Sequence, residues 1–155
     1  PVDALPRRPP GGKYVLPRAH VEGAPLDMSF SGLKTAIVNL AHNAQQKGEP
    51  LDKAALARDF TRAVSEELVP RAMEALRLTG HRTLVAAGGV AANSFLRADL
   101  EAACQGAGVK LYLPPLKWCG DNGAMIGAQG YYEYLAGRRG DMTLNAYATM
   151  DLSEK

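Results

Sequence analysis

Neither sign of charge prevails in this 155-residue chain, where eighteen Lys and Arg stand against sixteen Asp and Glu for a net charge of +2. Such a balance provides no strong field toward nucleic acid or an anionic membrane, so any nucleic-acid role must come from a local feature. Cysteine is scarce: Cys104 and Cys119 have neither metal-ligand spacing nor a disulfide framework, and a reducing cytoplasm suits them. His20, His42 and His81 each stand alone, better suited to surface or capping roles than to metal binding. There is no signal peptide and no apolar run long enough to span a bilayer, so no membrane partner is expected. A Ser, His and Asp set and a zinc-binding helix motif are also missing, which leaves a protease without support. Gly32-Leu33-Lys34-Thr35 lacks the upstream glycine and second Gly-Lys pair of a Walker loop. The opening Pro1-Val2-Asp3 without an initiator Met leads us to expect a fragment. At this length one compact domain is expected.

The richest stretch is Thr83-Leu84-Val85-Ala86-Ala87-Gly88-Gly89-Val90-Ala91-Ala92-Asn93. Thr83 to Ala87 is a short apolar run with β-branched members, which predicts a buried strand. Gly88 and Gly89 permit a turn with positive φ, and Asn93 stands where a helix should begin. A turn of this kind collects free N–H groups at the positive end of a helix dipole and suits a phosphate or carboxylate. From the local pattern alone, a plain connection with Asn93 as N-cap is the favoured reading.

On either side the pattern predicts helices. Residues 1–28 form a Pro-rich connecting segment holding Asp3, with a short strand expected at Lys13 to Leu16. An α/β lobe follows over 29–150, then a tail at 151–155. Ser29 or Ser31 can cap a first helix with Leu33, Ile37, Leu40 and Ala41 inward. Asp52 caps a second, whose core stripe is Leu56, Phe60, Val64 and Leu68, with a kink or break near Val69 caused by Pro70. A helix over Ser94–Gln105 and a strand over Val109–Leu113 complete a parallel, right-handed βαβ unit. Ligands bind beyond the carboxyl ends of such strands, so the loops after both strands face one crevice. The second loop carries Asp121, read either as a site carboxylate for a cation or a ribose, or as the N-cap of a last helix. Gly123, Gly127 and Gly130 in that helix each cost about 1 kcal/mol relative to Ala, and close approach of a backbone or ligand would account for them.

Together, Ser29-Phe30-Ser31-Gly32-Leu33-Lys34-Thr35, Gly88-Gly89-Val90-Ala91-Ala92-Asn93 with Leu96-Arg97, and Cys119-Gly120-Asp121-Asn122-Gly123-Ala124-Met125-Ile126 resemble the tRNA N6-adenosine threonylcarbamoyltransferase family, long labelled glycoprotease. The resemblance runs from about Val2-Asp3 to Leu152 and covers the family's C-terminal half. It implies one lobe of the actin-like ATPase and sugar-kinase (ribonuclease H-like) superfold. It also implies transfer of a threonylcarbamoyl group from threonylcarbamoyl-adenylate to N6 of adenosine 37 in tRNAs reading codons that begin with A. By motif, Asn93 contacts the adenylate's nucleoside, Gly88 and Gly89 line its phosphate side, and Asp3 reaches the ribose. Asp121 becomes a ligand of a divalent metal, iron or zinc, while the family's His-x-x-x-His pair and first nucleotide loop fall upstream of Pro1. The implied partners are tRNA, a paralogous non-catalytic subunit and a small ATPase. The isolated chain is expected to self-associate and to lack transfer activity. Gly123 stands where Ala is common in the family. A carbamoyltransferase of hydrogenase maturation shares the Gly-Gly-Val and Asn turn but is disfavoured by the Ser29–Thr35 run. A non-catalytic nucleotide- or partner-binding lobe is the alternative from another class.

Overall fold

The computed structural model describes residues 12–18, 24–146 and 148–149, so Asp3 and the 151–155 tail lie outside the described residues. The chain divides into two compact units, Pro1–Gly120 and Asp121–Lys155, and each is described by itself.

In the first unit, α1 spans Ser31–Lys47 and starts at Phe30 with no side-chain cap, so neither Ser29 nor Ser31 takes that role. Leu33 is buried and Ile37 and Leu40 half-buried, whereas Ala41, expected inward, is exposed. Gly48 adopts the left-handed conformation at φ 64° and ends the helix. Helix α2, Lys53–Thr79, begins as its sequence predicts, with Asp52 Oδ1 accepting from the Ala55 N–H at 3.0 Å. The helix runs unbroken through Pro70, contrary to a break near Val69. Proline removes one backbone donor from the ladder, but Arg71 holds the neighbouring turn by donating to the Glu67 carbonyl at 3.0 Å and pairing with its carboxylate at 2.9 Å.

The predicted core stripe of α2 is only partly core. Leu56 is buried, while Phe60, Val64 and Leu68 are half-buried, and much of the buried surface is polar: Arg58, Asp59, Thr61, Ser65 and Glu67. The reason is that α2 is covered on other sides. Ser65 Oγ donates to the Asp99 carboxylate of α3, Ser94–Ala107. On a further side lies the segment around Tyr14, which is not the strand expected at Lys13–Leu16. Instead of a ladder partner, the Tyr14 N–H finds Asp59 Oδ2 at 3.0 Å, and the Tyr14 hydroxyl accepts from the Asp52 N–H at 3.2 Å. Arg18 adds an ion pair with Glu66 at 2.6 Å.

Strands β1, Thr83–Val85, and β2, Lys110–Tyr112, pair in parallel with Leu84 opposite Leu111. The strand, helix, parallel strand order therefore holds. Their burial departs from expectation: Leu84 and Leu111 are half-buried, but Val85 is 67% and Tyr112 47% exposed. Two strands cover too little of one another to make a buried sheet. Leu96, Leu100 and Cys104 of α3 are the buried face of the unit's second helical layer.

The second unit contains α4, Gly123–Leu135, in which no residue is buried. Ile126, Tyr132 and Leu135 are each more than 60% exposed. After Gly137 the chain forms a turn in which Asp141 accepts from the Thr143 N–H at 2.7 Å and the Thr143 hydroxyl at 2.6 Å.

Candidate functional site

The turn after β1 is built differently from a direct strand-to-helix connection. Gly88 takes φ 90°, a conformation costly for any residue with a Cβ, and a 3₁₀ turn over Gly89–Ala92 follows before α3. The Ala91 N–H bonds the Gly88 carbonyl and the Asn93 N–H bonds the Val90 carbonyl, both at 3.0 Å. Asn93 is the N-cap: its Oδ1 accepts from the Phe95 and Leu96 N–H groups, each at 3.0 Å. The α3 terminus thus spends two of its donors on its own cap. Donors for an anion at this turn come instead from the start of the 3₁₀ turn, since the first N–H groups of any helical turn, here on Gly89 and Val90, have no intrahelical acceptor. The Asn93 amide group, Nδ2, is not used by the cap.

This turn forms one wall of a groove of about 1120 Å³. Phe30, Lys34 and Ile37 stand on the α1 side, Leu56, Phe60, Val64 and Leu68 on α2, and Gly89, Val90, Ala92 and Asn93 on the turn. The half-buried α2 stripe therefore lines a groove. Two motifs distant in sequence, Ser29–Thr35 and Gly88–Asn93, meet on it. A surface that is mainly apolar, with Asn93, Lys34 and Lys53 among the residues that line it, suits a ligand with a flat apolar part and an anionic part. Asn93 and Gly89 are thus brought together on one wall, while Gly88, next to Gly89 in the chain, is not among the lining residues.

Sequence reasoning missed Arg97 except as a letter in a motif. From α3 its Nε donates to the Ala91 carbonyl at 2.6 Å, and its Nη2 donates to the Pro114 carbonyl at 2.5 Å and to Cys119 Sγ at 3.3 Å. A basic residue in the first turn of a helix, against the dipole, was the available signal.

In the second unit the two readings of Asp121 separate. The N-cap of α4 is Asn122, whose Oδ1 accepts from the Met125 N–H at 2.9 Å. Asp121 is exposed and is released from the cap. One carboxylate does not make a metal centre, and among the described residues no group of three or more His, Cys, Asp or Glu could hold an ion. The described residues therefore do not fit the implied iron or zinc on their own. Gly123, Gly127 and Gly130 meet nothing within 4 Å of a Cβ built on them among the described residues, so close approach does not account for them here.

The fold and the site define an α/β protein with motif-bearing loops at the carboxyl ends of two parallel strands. The chain belongs to the TsaD family, described as tRNA N6-adenosine threonylcarbamoyltransferase, whose model matches residues 4–128. It is 44% identical over 141 residues to the tRNA N6-adenosine threonylcarbamoyltransferase of Staphylococcus saprophyticus, covering 91% of this chain and 41% of that protein. Enzymes of the same name from Lactobacillus delbrueckii subsp. bulgaricus and Limosilactobacillus fermentum are 47% and 50% identical, over 90% and 86% of this chain and 41% and 39% of theirs. The chain thus spans about two fifths of the length of the curated relatives it matches.

Proposed function

We propose that this chain is part of a transferase that moves a threonylcarbamoyl group from threonylcarbamoyl-adenylate to N6 of adenosine 37 in tRNA, and that its groove seats the adenylate. The observation that carries the reading is the meeting of the Ser29–Thr35 and Gly88–Asn93 motifs on one apolar groove in a chain of this family. The adenine ring lies against the apolar wall of α2. Asn93 donates to the nucleoside through Nδ2, its Oδ1 being held by the cap. Gly88 and Gly89 give the phosphate close access to backbone donors, aided by Lys34. In the transfer the N6 amine attacks the carbamoyl carbonyl, the C–O bond to the adenylate phosphate breaks, AMP departs, and the amine loses its proton.

Asp3, assigned by resemblance to the ribose, lies outside the described residues. Asp121 would contribute a single carboxylate to the iron or zinc of the longer protein. The reading includes the actin-like ATPase and sugar-kinase superfold, a cytoplasmic setting, and tRNA, a paralogous subunit and a small ATPase as partners. Among the described residues no helix is long and apolar enough to cross a membrane.

Calorimetric titration of the chain with ATP tests the reading through two variants. Asn93→Asp keeps the capping oxygen and removes the Nδ2 donors, so its affinity should fall more than about tenfold, or 1.4 kcal/mol, with stability retained. Asn93→Ala should lose affinity and about 1 kcal/mol of stability together. A wild-type chain giving no saturable heat, or Asn93→Asp binding as well as wild type, would overturn the assignment.

A further inference from the structure

Arg97 is placed where a cation faces the positive end of the α3 dipole, yet its side chain is half-buried and fully directed. Its guanidinium reaches Ala91, in the turn after β1, and both Pro114 and Cys119, in the loop after β2. Ala91 and Cys119 are each 4% exposed. The strands themselves pair over only three residues. Beyond them the Ala86 N–H to Tyr112 carbonyl bond, at 3.1 Å, continues the ladder by one step. The loops that emerge from the carboxyl ends of both strands, where α/β sheets place ligands, are therefore held to each other by one planar fork.

We propose that Arg97 is a positioning residue that sets the turn Gly89–Asn93 against the loop Pro114–Cys119, so that a nucleotide seated on the turn is felt at Cys119. The second clause rests on the adenylate reading of the groove; the first does not. The geometry requires a fork: Nε and Nη2 donate at once to acceptors in two loops, and a Lys ammonium is a single point charge that cannot serve them together. Arg97→Lys should therefore release the loop although the charge is kept, and Arg97→Met should release it to the same extent.

The two cysteines provide an internal ratio. Cys119 accepts from Arg97, while Cys104, 1% exposed, lies seven residues beyond Arg97 on α3. Alkylation by iodoacetamide, followed peptide by peptide with mass spectrometry, reads each site separately. In Arg97→Lys and Arg97→Met the Cys119 rate should rise about tenfold by local opening while the Cys104 rate stays unchanged. Saturating ATP should slow Cys119 in the wild type and have no effect on it in either variant. Unchanged Cys119 rates in both variants would overturn the clamp. A parallel rise at Cys104 would also overturn it, because Arg97 would then merely hold the fold together. If calorimetry shows ATP bound to the wild type and Cys119 does not slow, the coupling is wrong. If calorimetry shows no binding, the adenylate reading fails instead and the clamp is judged on the alkylation ratio alone.

Discussion

Single side chains in this protein do their work through which atom is left over. Asn93 has its oxygen committed to the Phe95 and Leu96 N–H groups, so only its amide hydrogens are available to a ligand. Asn122 takes the cap of α4, which frees the carboxylate of Asp121. Asp141 is a contrasting case, a carboxylate whose Oδ1 accepts twice: the Thr143 hydroxyl and N–H hold it below the usual carboxylate range. A depressed folded-state value means that the turn's stabilisation is present above the ordinary carboxylate pKa and is lost as pH falls through the folded one. We expect the Thr143 amide resonance to move toward its random-coil position on acidification, at a lower pH than a free Asp titrates. Thr143→Ala, which removes the hydroxyl and keeps the N–H, should raise the midpoint part of the way toward the ordinary Asp range. Burial pushes the Cys104 thiol up, so Cys104 should alkylate slowly at pH 8 until the chain is unfolded in urea.

At the scale of elements, α2 and α4 make opposite compromises. Helix α2 keeps a proline in its interior, and a helix-interior proline is about 3 kcal/mol less favourable than Ala, offset by up to about 1 kcal/mol because proline also restricts the unfolded chain. Pro70→Ala should therefore stabilise the chain by about 2 kcal/mol in urea unfolding. A loss of stability would show that the helix has adapted its backbone to the ring. Helix α4 keeps three glycines with open space where a Cβ would go. Gly127→Ala should gain about 1 kcal/mol of helix stability in this chain, read by thermal melting of the circular dichroism signal. Helical periodicity located all four helices, and the caps at Asp52 and Asn93 could be read directly. Pro70 misled because propensity is local, whereas α2 is held along its length by α3 and by the segment around Tyr14.

At the scale of the molecule, exposed apolar surface is the main feature. Val85 and Tyr112 in the first unit, and Ile126, Tyr131, Tyr132 and Leu135 in the second, are each more than two fifths exposed, and exposed apolar surface favours association. We expect the chain to self-associate, seen as a concentration-dependent mass in analytical ultracentrifugation; a constant monomer mass up to millimolar concentration would count against this. With no cluster of ligands among the described residues, the dialysed chain should carry no stoichiometric iron or zinc by elemental analysis. Under the proposed function it should also transfer no threonylcarbamoyl group to tRNA by itself.

The sequence by itself determined the local features: helix positions, two of the caps, a parallel strand–helix–strand unit, and three motifs that name a family. These depend on spacing and on contacts a few residues apart, which a linear pattern records. Tertiary structure decided which polar atoms remain free, because that depends on what arrives from elsewhere in the chain. It turned the apolar stripe of α2 into a groove wall, gave the Asp59 carboxylate the backbone of Tyr14 to bind, and brought the Ser29–Thr35 motif to the Asn93 turn. It also made Arg97, one basic residue among eighteen, the tie between two loops, since no local rule places a guanidinium against carbonyls of two distant segments.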